Sequence, residues 1–322
     1  MFAPSAKFRR DRWGRVVSAR TWPPEPSRCS VRVQATAPLW YGIRVAVTVI
    51  KRLGIFVAVL VGLCAFYMGY RQLYLSTGWT RPFKVDEYAM PRLQDIISRL
   101  WEPAATEQPA LVHVLLDKAL FTAREAAAGF VIGAIVGIAI GTVFHFSNLM
   151  RRGFQPYVVG SQTVPILAIA PMVVIWLGGQ GLPVWMPVAV ISAFLTFFPV
   201  AINTLRGLDS TDPRKLELMR SYAASEWSTL WRVKFPCALP YLFSAFKVAA
   251  TASVVGAIIG ELPSSIQDGL GGAILNFAQY YSLDPSALWA TNIIAALLGI
   301  LFFSIVAIVE RLVVRRAPEN VA

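Results

Sequence analysis

The residues best suited to chemistry lie in a polar, basic segment, residues 210–236, between two very apolar stretches. Asp212 is a good helix N-cap, and Pro213 suits the first helical position that follows it. Apolar residues then recur at helical spacing, so one face suits docking. Charged residues offer ion pairing at such an interface: Glu217, Arg220, Glu226 and Arg232. The segment could therefore serve as a docking surface.

The same segment is expected to fold as two short helices at an angle. Ala224-Ser225 makes a break, and Ser225 can cap the second helix. Pro236 and Pro240 are expected to end that helix and to begin the next apolar span. A loop that rests on the bilayer through its tryptophans is the alternative that composition alone allows.

Other groups that commonly carry chemistry are too scattered to form a site. The cysteines, Cys29, Cys64 and Cys237, show no zinc or redox spacing. The histidines, His113 and His145, have no cysteine or carboxylate cluster around them, so no metal site is expected. No lysine follows a glycine, so the chain has no P-loop with which to bind ATP.

The composition indicates an integral membrane protein. Of 322 residues, 56% are hydrophobic and only 15% are charged, against about 25% charged in a typical soluble domain. Nucleic-acid binding is not expected despite the net charge of +12, because the basic residues lie between apolar segments. Six segments are long enough to cross a bilayer. They are approximately Leu53–Tyr70, Ala126–Phe146, Tyr157–Leu177, Trp185–Leu205, Tyr241–Ile259 and Ala287–Val309.

The distribution of Lys and Arg predicts that both termini are cytoplasmic. In that orientation the two short outer loops hold no Lys or Arg, and the outer segment 71–120 holds six. Arg124 and Lys247 are assigned to span ends. Because basic loops stay in the cytoplasm, the polar segment lies on the side where ATP is. The inside segments, which hold 22 of the 30 Lys and Arg, are 1–52, 147–156, 206–236 and 310–322.

Three regions are expected along the chain. Residues 1–42 are rich in Arg, Pro and Ser and predict a disordered basic cytoplasmic tail, with a misassigned start or a transit peptide as alternatives. Residues 43–120 are expected to hold the first span and an amphipathic segment on the membrane surface or the domain rim. Residues 121–316 are expected to form the transmembrane core, which includes the loop 210–236.

Residues within the spans limit the class of transporter. The second span carries a stripe of glycines at Gly129, Gly133, Gly137 and Gly141. Such a stripe lets helices approach closely in lipid, and packing within the chain is expected, with dimer contact as the alternative. No charged residue lies in the central part of a predicted span, which argues against an ion-coupled carrier. Glu261 is expected to be a solvated span end, with a gate residue as the alternative.

The polar loop resembles the cytoplasmic coupling loop of ABC importer permeases. Glu217, Ala223, Val233, Phe235 and Pro236 fall on the spacing of that family's pattern. Leu218-Met219 replaces its pair of small residues, and Ala223 replaces its glycine. The resemblance covers about residues 90–316 and favours the nitrate/sulfonate/taurine-type branch. Further features that carry it are Thr163-Val-Pro165, Phe198-Pro199, Gly260-Glu261, Gly269-Leu-Gly271 and Glu310-Arg311.

The resemblance implies an all-α integral membrane protein with six transmembrane helices and a type I ABC importer permease-like fold in the inner membrane. It implies no catalysis and no cofactor on this chain, with ATP and Mg on a partner ATPase. An extracytoplasmic solute-binding protein, membrane lipid and a second permease copy, as a homodimer, are the other implied partners. The ATP-binding subunit would dock on Glu217, Arg220, Ala223, Ala224, Ser225, Glu226, Trp227 and Pro236. The candidate outer gate is Glu261, Gly269 and Gly271.

The last outer stretch, residues 261–281, suggests the solute. It looks most like permeases for vitamins and their precursors, such as riboflavin or the thiamine pyrimidine precursor. A planar ring would suit Phe277, Tyr280, Tyr281 and Trp289, although a membrane-interface belt would use the same residues. The alternatives are a nitrate/sulfonate/taurine-type anion importer, an ATP-independent facilitator and a membrane scaffold that moves nothing.

Overall fold

The computed structural model describes residues 54–55, 58–59, 61–74, 76, 91–104, 109–263 and 267–314. These residues are mostly helical, with no β-strand among them beyond an isolated bridge between Pro103 and Ala110. The prediction of an all-α protein is therefore confirmed. The predicted tail, residues 1–42, and part of the first predicted span lie outside the described residues.

The described helices occur in the following order along the chain. Residues 61–74 form α1. Next come α2 Leu93–Arg99, α3 Leu111–Phe146, α4 Asn148–Gly160, α5 Ile166–Gly178 and α6 Trp185–Asp209. The later helices are α7 Pro213–Ser221, α8 Glu226–Thr229, α9 Phe235–Glu261, α10 Leu270–Gln279 and α11 Pro285–Val313. A 3-10 helix, Ser161–Thr163, follows α4, and a π-helix, Leu230–Lys234, joins α8 to α9.

Four helical stretches among the described residues are long and apolar enough to cross a membrane. The bent pair of α4 and α5 adds a fifth if it counts as one span. The fold is therefore membrane-spanning, while the total of six stays a prediction. The four stretches are Leu111–Phe146, Trp185–Asp209, Glu226–Glu261 and Pro285–Val313.

The third predicted span, Tyr157–Leu177, is not one continuous helix. The helical segments on either side of its break are bent by 99°. Pro165 explains the break, because proline lacks an amide donor and drives the preceding residue out of the helical region. Val164 accordingly has φ −75° and ψ 125°. Pro171, in contrast, is accommodated inside α5.

The fifth predicted span begins fifteen residues before the expected Tyr241. The helix is continuous from Glu226 to Glu261, with the π-helix directly before Pro236 and with Pro240 inside α9. In the π-helix the N–H of Phe235 donates to the carbonyl of Leu230, so the wider turn keeps the helix unbroken although Pro236 supplies no N–H. The prediction that these prolines end the second loop helix was wrong. One arm of the polar loop is thus continuous with a membrane-length helix.

Helices α3, α6 and α9 form the packed centre of the fold. All four glycines of the predicted stripe face α6. A Cβ atom on Gly137 would lie 2.7 Å from the carbonyl oxygen of Phe197 and 2.7 Å from Cβ of Val200, closer than real Cβ atoms approach. These glycines let α3 lie directly against α6 within one chain. The others that meet the same obstruction are Gly129, Gly133 and Gly141.

Helix α11 is tied to the centre by a buried ion pair. Lys247 Nζ lies 2.8 Å from Glu310 Oε2, and both side chains are largely removed from solvent. The sequence places Lys247 at a span end, but it lies well inside the continuous helix 226–261. Burial of this lysine is tolerated because its charge is paired.

The amphipathic segment before α3 packs on the core. Ile96 of α2 is 2% exposed and belongs to the same hydrophobic cluster as Leu111 and Leu115 of α3. It therefore lies at the domain rim, one of its two predicted placements. Helix α3 begins at Leu111, so the predicted boundary after residue 120 falls inside one helix.

Candidate functional site

The polar loop, residues 210–236, begins with a capped helix. Asp212 accepts a hydrogen bond from the N–H of Arg214 at 3.0 Å, and Pro213 occupies the first turn of α7. Ser225 caps α8 in the same way, accepting from the N–H of Ser228 at 3.2 Å. Both predicted caps are confirmed, and they fix where the two short helices start.

The turn between these helices is made by Ala223, which has φ 50° in the left-handed region. Its N–H donates to the carbonyl of Arg220 at 2.9 Å, and the N–H of Ala224 donates to the carbonyl of Met219 at 3.0 Å. This Schellman pattern is usually made by glycine, because a Cβ costs about 1–2 kcal/mol in that conformation. The alanine at the position of the family's glycine therefore keeps the bend under backbone strain.

Ala223→Gly should stabilise the folded chain by about 1 kcal/mol, because it removes that strain. We expect a rise of about 2 °C in the thermal midpoint of the chain purified in detergent. Ala224→Gly is the matched control. Ala224 is outside the left-handed region, so glycine there should lower the midpoint by increasing the conformational entropy of the unfolded chain. Equal shifts in the two variants would contradict the assigned strain.

The loop presents an exposed face that combines aromatic and charged groups. Tyr222 is 76% exposed and Trp227 is 64% exposed. Trp231 stacks on Phe235 with ring centroids 4.7 Å apart, which continues this surface along the π-helix. Such amphipathic aromatics are typical of protein interfaces. The predicted docking residues that the structure leaves exposed are Glu217, Arg220, Ala223, Ser225, Glu226, Trp227 and Pro236, while Ala224 is half-buried.

A charged network behind this face joins the loop to the ends of two long helices. His145 Nδ1 of α3 lies 2.7 Å from Asp209 Oδ1 of α6, and His145 Nε2 lies 2.9 Å from Lys234 Nζ of the π-helix. A lysine ammonium can only donate, so Nε2 accepts and the Nδ1–H donates to Asp209. Arg151 of α4 also donates to Asp209, at 2.9 Å. The network thus ties the π-helix to α3, α4 and α6.

The predicted gate residues meet at the far end of α9. Glu261 is 1% exposed, so its assignment as a solvated span end was wrong. Its carboxylate accepts from Thr122 Oγ1 at 2.7 Å and from the N–H of Gly271 at 2.5 Å. Gly269 lies against the same carboxyl group, with no room for a Cβ. We call these four residues the gate cluster; they bury the carboxylate where α3, α9 and α10 meet.

Gly269→Ala should weaken the gate cluster. The added Cβ would overlap the carboxyl group of Glu261, whereas the backbone φ of −100° suits alanine, so the effect is steric. We expect a loss of about 1–3 kcal/mol, measured by thermal or denaturant unfolding in detergent. Gly153→Ala is the control: it is helical and open, so alanine there should be neutral or stabilising. Equal losses at both positions would contradict the packing assigned to Gly269.

Sequence reasoning missed the partners of these residues. Thr122 lies 139 residues from Glu261, and His145 lies 89 residues from Lys234, so local spacing could not join them. Glu125 of α3 is also buried beside Glu261. One signal could have found it, because Glu125 stands one turn before Gly129 on the same helical face.

Two of the four predicted aromatics share a groove. Trp289 Nε1–H donates to Tyr281 Oη at 3.3 Å. Phe277 instead packs against the core, and Tyr280 is exposed. The groove has a volume of about 460 Å³, within the range of small-molecule sites. It is lined by Ala278, Tyr281, Leu288, Trp289 and Asn292.

The family follows from a match over the region that contains the polar loop, the charged network and the aromatic groove. A protein-family model described as "Binding-protein-dependent transport system inner membrane component" matches residues 129–315. The chain belongs to this family. The predicted family is confirmed, and the permease is a multi-pass inner-membrane protein. Membership implies an ATP-binding subunit and a solute-binding protein as partners.

The names of similar permeases specify different solutes. The chain is 31% identical to the formylaminopyrimidine transport permease protein ThiX of Halalkalibacterium halodurans, over 57% of this chain and 71% of that protein. It is 26% identical to the riboflavin transport system permease protein RibX of Chloroflexus aurantiacus, over 71% and 80%. It is also 26% identical to the nitrate import permease protein NrtB of Synechocystis sp., over 58% and 66%.

Solved ABC transporters share the fold of this permease. A chain from the crystal structure of an amino acid ABC transporter with histidines gives a TM-score of 0.51 at 16% identity, over 63% of this chain and 95% of that chain. A chain from a bacterial ABC transporter involved in the import of the acidic polysaccharide alginate gives 0.50 at 15% identity, over 86% and 99%. The ABC importer permease-like fold is therefore confirmed.

Proposed function

We propose that the permease forms the solute pathway of an ATP-driven importer and leaves ATP hydrolysis to a separate subunit. The observation that carries this proposal is the polar loop. Its exposed face is held by two capped helices and the bend at Ala223, and its second arm is continuous with α9. A movement of a subunit bound to this face would reach the membrane without crossing a flexible joint.

The proposed docking surface is the set of eight residues predicted from the sequence, with both chain termini on the same, cytoplasmic side. ATP and Mg would bind the partner. ATP binding would favour a closed partner dimer, which has different affinity for the two states of the permease and so shifts their populations. The docking residues are Glu217, Arg220, Ala223, Ala224, Ser225, Glu226, Trp227 and Pro236.

The charged network offers a route from the loop to the pathway helices. Lys234 is largely buried and contacts His145, which contacts Asp209. A shift of the π-helix would therefore act on the ends of α3 and α6 together. Because α3 and α6 pack through glycines without intervening side chains, they would move as one body.

A second copy of the permease would complete the pathway. The apolar window of α11 is only 11% buried within the chain, although its mean hydropathy is 2.7. Such a surface suits lipid and a partner helix, and a homodimer needs no further gene product. The solute-binding protein would meet the dimer on the side of the gate cluster, opposite the polar loop.

The solute class that the groove favours is a planar, uncharged ring, with riboflavin or another vitamin or pyrimidine precursor as the proposed cargo. Tyr281 and Trp289 supply aromatic surface, and Asn292 supplies amide hydrogen bonding. None of the residues that line the groove is cationic, which disfavours nitrate or a sulfonate. The names of the ThiX and RibX relatives are consistent with this choice.

Affinity purification of the chain from its native membrane in mild detergent, followed by mass spectrometry, tests the proposal. We expect a P-loop ATPase and a solute-binding protein in the recovered complex. The binding protein is then titrated with riboflavin, pyrimidine precursors, nitrate and sulfonates, and the proposal predicts tight binding to one of the ring compounds. Recovery of the intact, folded chain without either partner would favour an ATP-independent facilitator or a scaffold.

A further inference from the structure

A buried pair of carboxyl groups lies where α3 meets the end of α9. Glu125 and Glu261 are each 1% exposed. They come from different helices. Thr122, one turn before Glu125 on α3, donates to Glu261 at 2.7 Å, which places the two carboxyl groups close together. Neither the docking surface nor the aromatic groove uses this pair, so its presence needs a separate explanation.

The two carboxyl groups are not equally supported. Glu261 accepts hydrogen bonds from Thr122 and from the N–H of Gly271, and Lys118 of α3 also acts on it electrostatically. Among the described residues, no N–H or O–H group donates to either oxygen of Glu125. Glu261 therefore has the surroundings of a carboxylate, and Glu125 does not.

An ionised Glu125 would be strongly unfavourable at this position. Burial removes its hydration without supplying a donor, and a second negative charge would contact Glu261. Contact between two carboxyl groups becomes a hydrogen bond only when one of them carries a proton. One proton on Glu125 removes the repulsion and supplies the missing donor.

We propose that Glu125 and Glu261 bind one proton between them and that this proton holds the gate cluster closed. Protonated Glu125 donates to Glu261, whose carboxylate keeps its bonds to Thr122 and Gly271. The N–H of Leu270 donates to Thr122 Oγ1 at 2.9 Å, so the start of α10 depends on the same cluster. Loss of the proton leaves two negative charges next to the backbone of Leu270 and Gly271. The repulsion between these charges separates α9 from α3.

The charged groups around the pair agree with a proton as the ligand. The ammonium of Lys118 is engaged by the carbonyl of Gln267, Asp268 is exposed, and α10 carries no acidic or basic residue. A calcium or magnesium ion would need about six or more oxygen ligands. No group of three metal-ligating acidic, histidine or cysteine side chains occurs in the part of the chain that the structure describes.

Infrared spectroscopy of the full-length chain in detergent at neutral pH tests for the proton directly. We expect a carbonyl band of a protonated carboxylic acid in the unmodified chain. The band should disappear in both Glu125→Gln and Glu261→Gln, because either amide supplies an N–H donor to the remaining carboxylate. Asp268→Asn, an exposed carboxylate of the same loop, should keep it. A band that persists in both glutamine variants, or that is absent before substitution, would overturn the proposal.

Hydrogen exchange at Leu270 and Gly271 tests the closing role and needs no ATPase. At fixed pH, Glu125→Gln should keep the exchange rates of these two amides within about twofold of the rates in the unmodified chain. Glu261→Ala should raise the rates at least about tenfold, because it removes a charged hydrogen-bond acceptor. Equal exchange in all forms would overturn the role in closure. Slower exchange on addition of sodium, magnesium or calcium at constant pH would overturn the choice of a proton as the ligand.

Discussion

Glu217→Lys should separate the permease from its ATP-binding subunit and abolish ATP-driven uptake. Glu217 is exposed on α7 and makes no ion pair within the described residues, so the substitution should change folding stability by no more than about 0.5 kcal/mol. At the proposed interface, however, reversing a charge that faces a complementary one costs several kcal/mol. We expect association at least about 100-fold weaker, measured by co-purification of the ATPase and by uptake into vesicles.

Two further variants make this result specific. Asp117→Lys makes the same charge reversal on an exposed position of α3, away from the polar loop, and should leave ATPase association unchanged. Ala223→Asp places a charge in the docking surface without opposing the bend, because Asp tolerates the left-handed region better than most residues. Full association and uptake in both Glu217→Lys and Ala223→Asp would contradict the docking assignment.

Gly137→Leu should prevent the permease from reaching its folded state. The side chain would collide with the backbone carbonyl of Phe197 and with Val200, and a backbone carbonyl cannot turn aside. Helices α3 and α6 would have to separate along the centre of the fold, at a cost of about 3 kcal/mol or more. We expect little monodisperse protein in detergent and a large fall in the unfolding midpoint.

Gly69→Leu supplies the control for that prediction. Gly69 is an exposed residue of α1, and nothing within 4 Å would meet an added Cβ. The same substitution should therefore leave the yield and the unfolding midpoint of the chain unchanged. Comparable loss of folded protein in the two variants would show that any bulky residue is harmful, and that the α3–α6 contact is not the cause.

Local chemistry allowed much of the fold to be predicted. Asp212, Pro213 and Ser225 act on the backbone within three residues, so their roles as caps could be read directly. Apolar length predicted the four spans that are confirmed, because a bilayer sets a minimum helix length. The glycine stripe of α3 has a period that matches one helix face, although the sequence could not say which helix it meets.

Tertiary packing determines which prolines break a helix and which carboxyl groups are buried, and residue type alone does not predict either. Pro165 breaks a helix, whereas Pro171, Pro199 and Pro240 lie inside helices, and residue type alone does not separate these outcomes. The burial of Glu261 depends on Thr122 and on the start of α10, which reach it only in the folded chain. The docking and gate residues therefore stay predictions until variants are measured.

Uptake into proteoliposomes tests whether the permease moves solute only together with its partners. The permease is reconstituted alone, with its ATP-binding subunit, and with both that subunit and the solute-binding protein, using the compound that the binding protein retains. We expect the solute to accumulate only in the complete system, and only when ATP is present on the side of the membrane where the ATP-binding subunit is docked. Equal solute flux through the permease alone, without ATP, would contradict it.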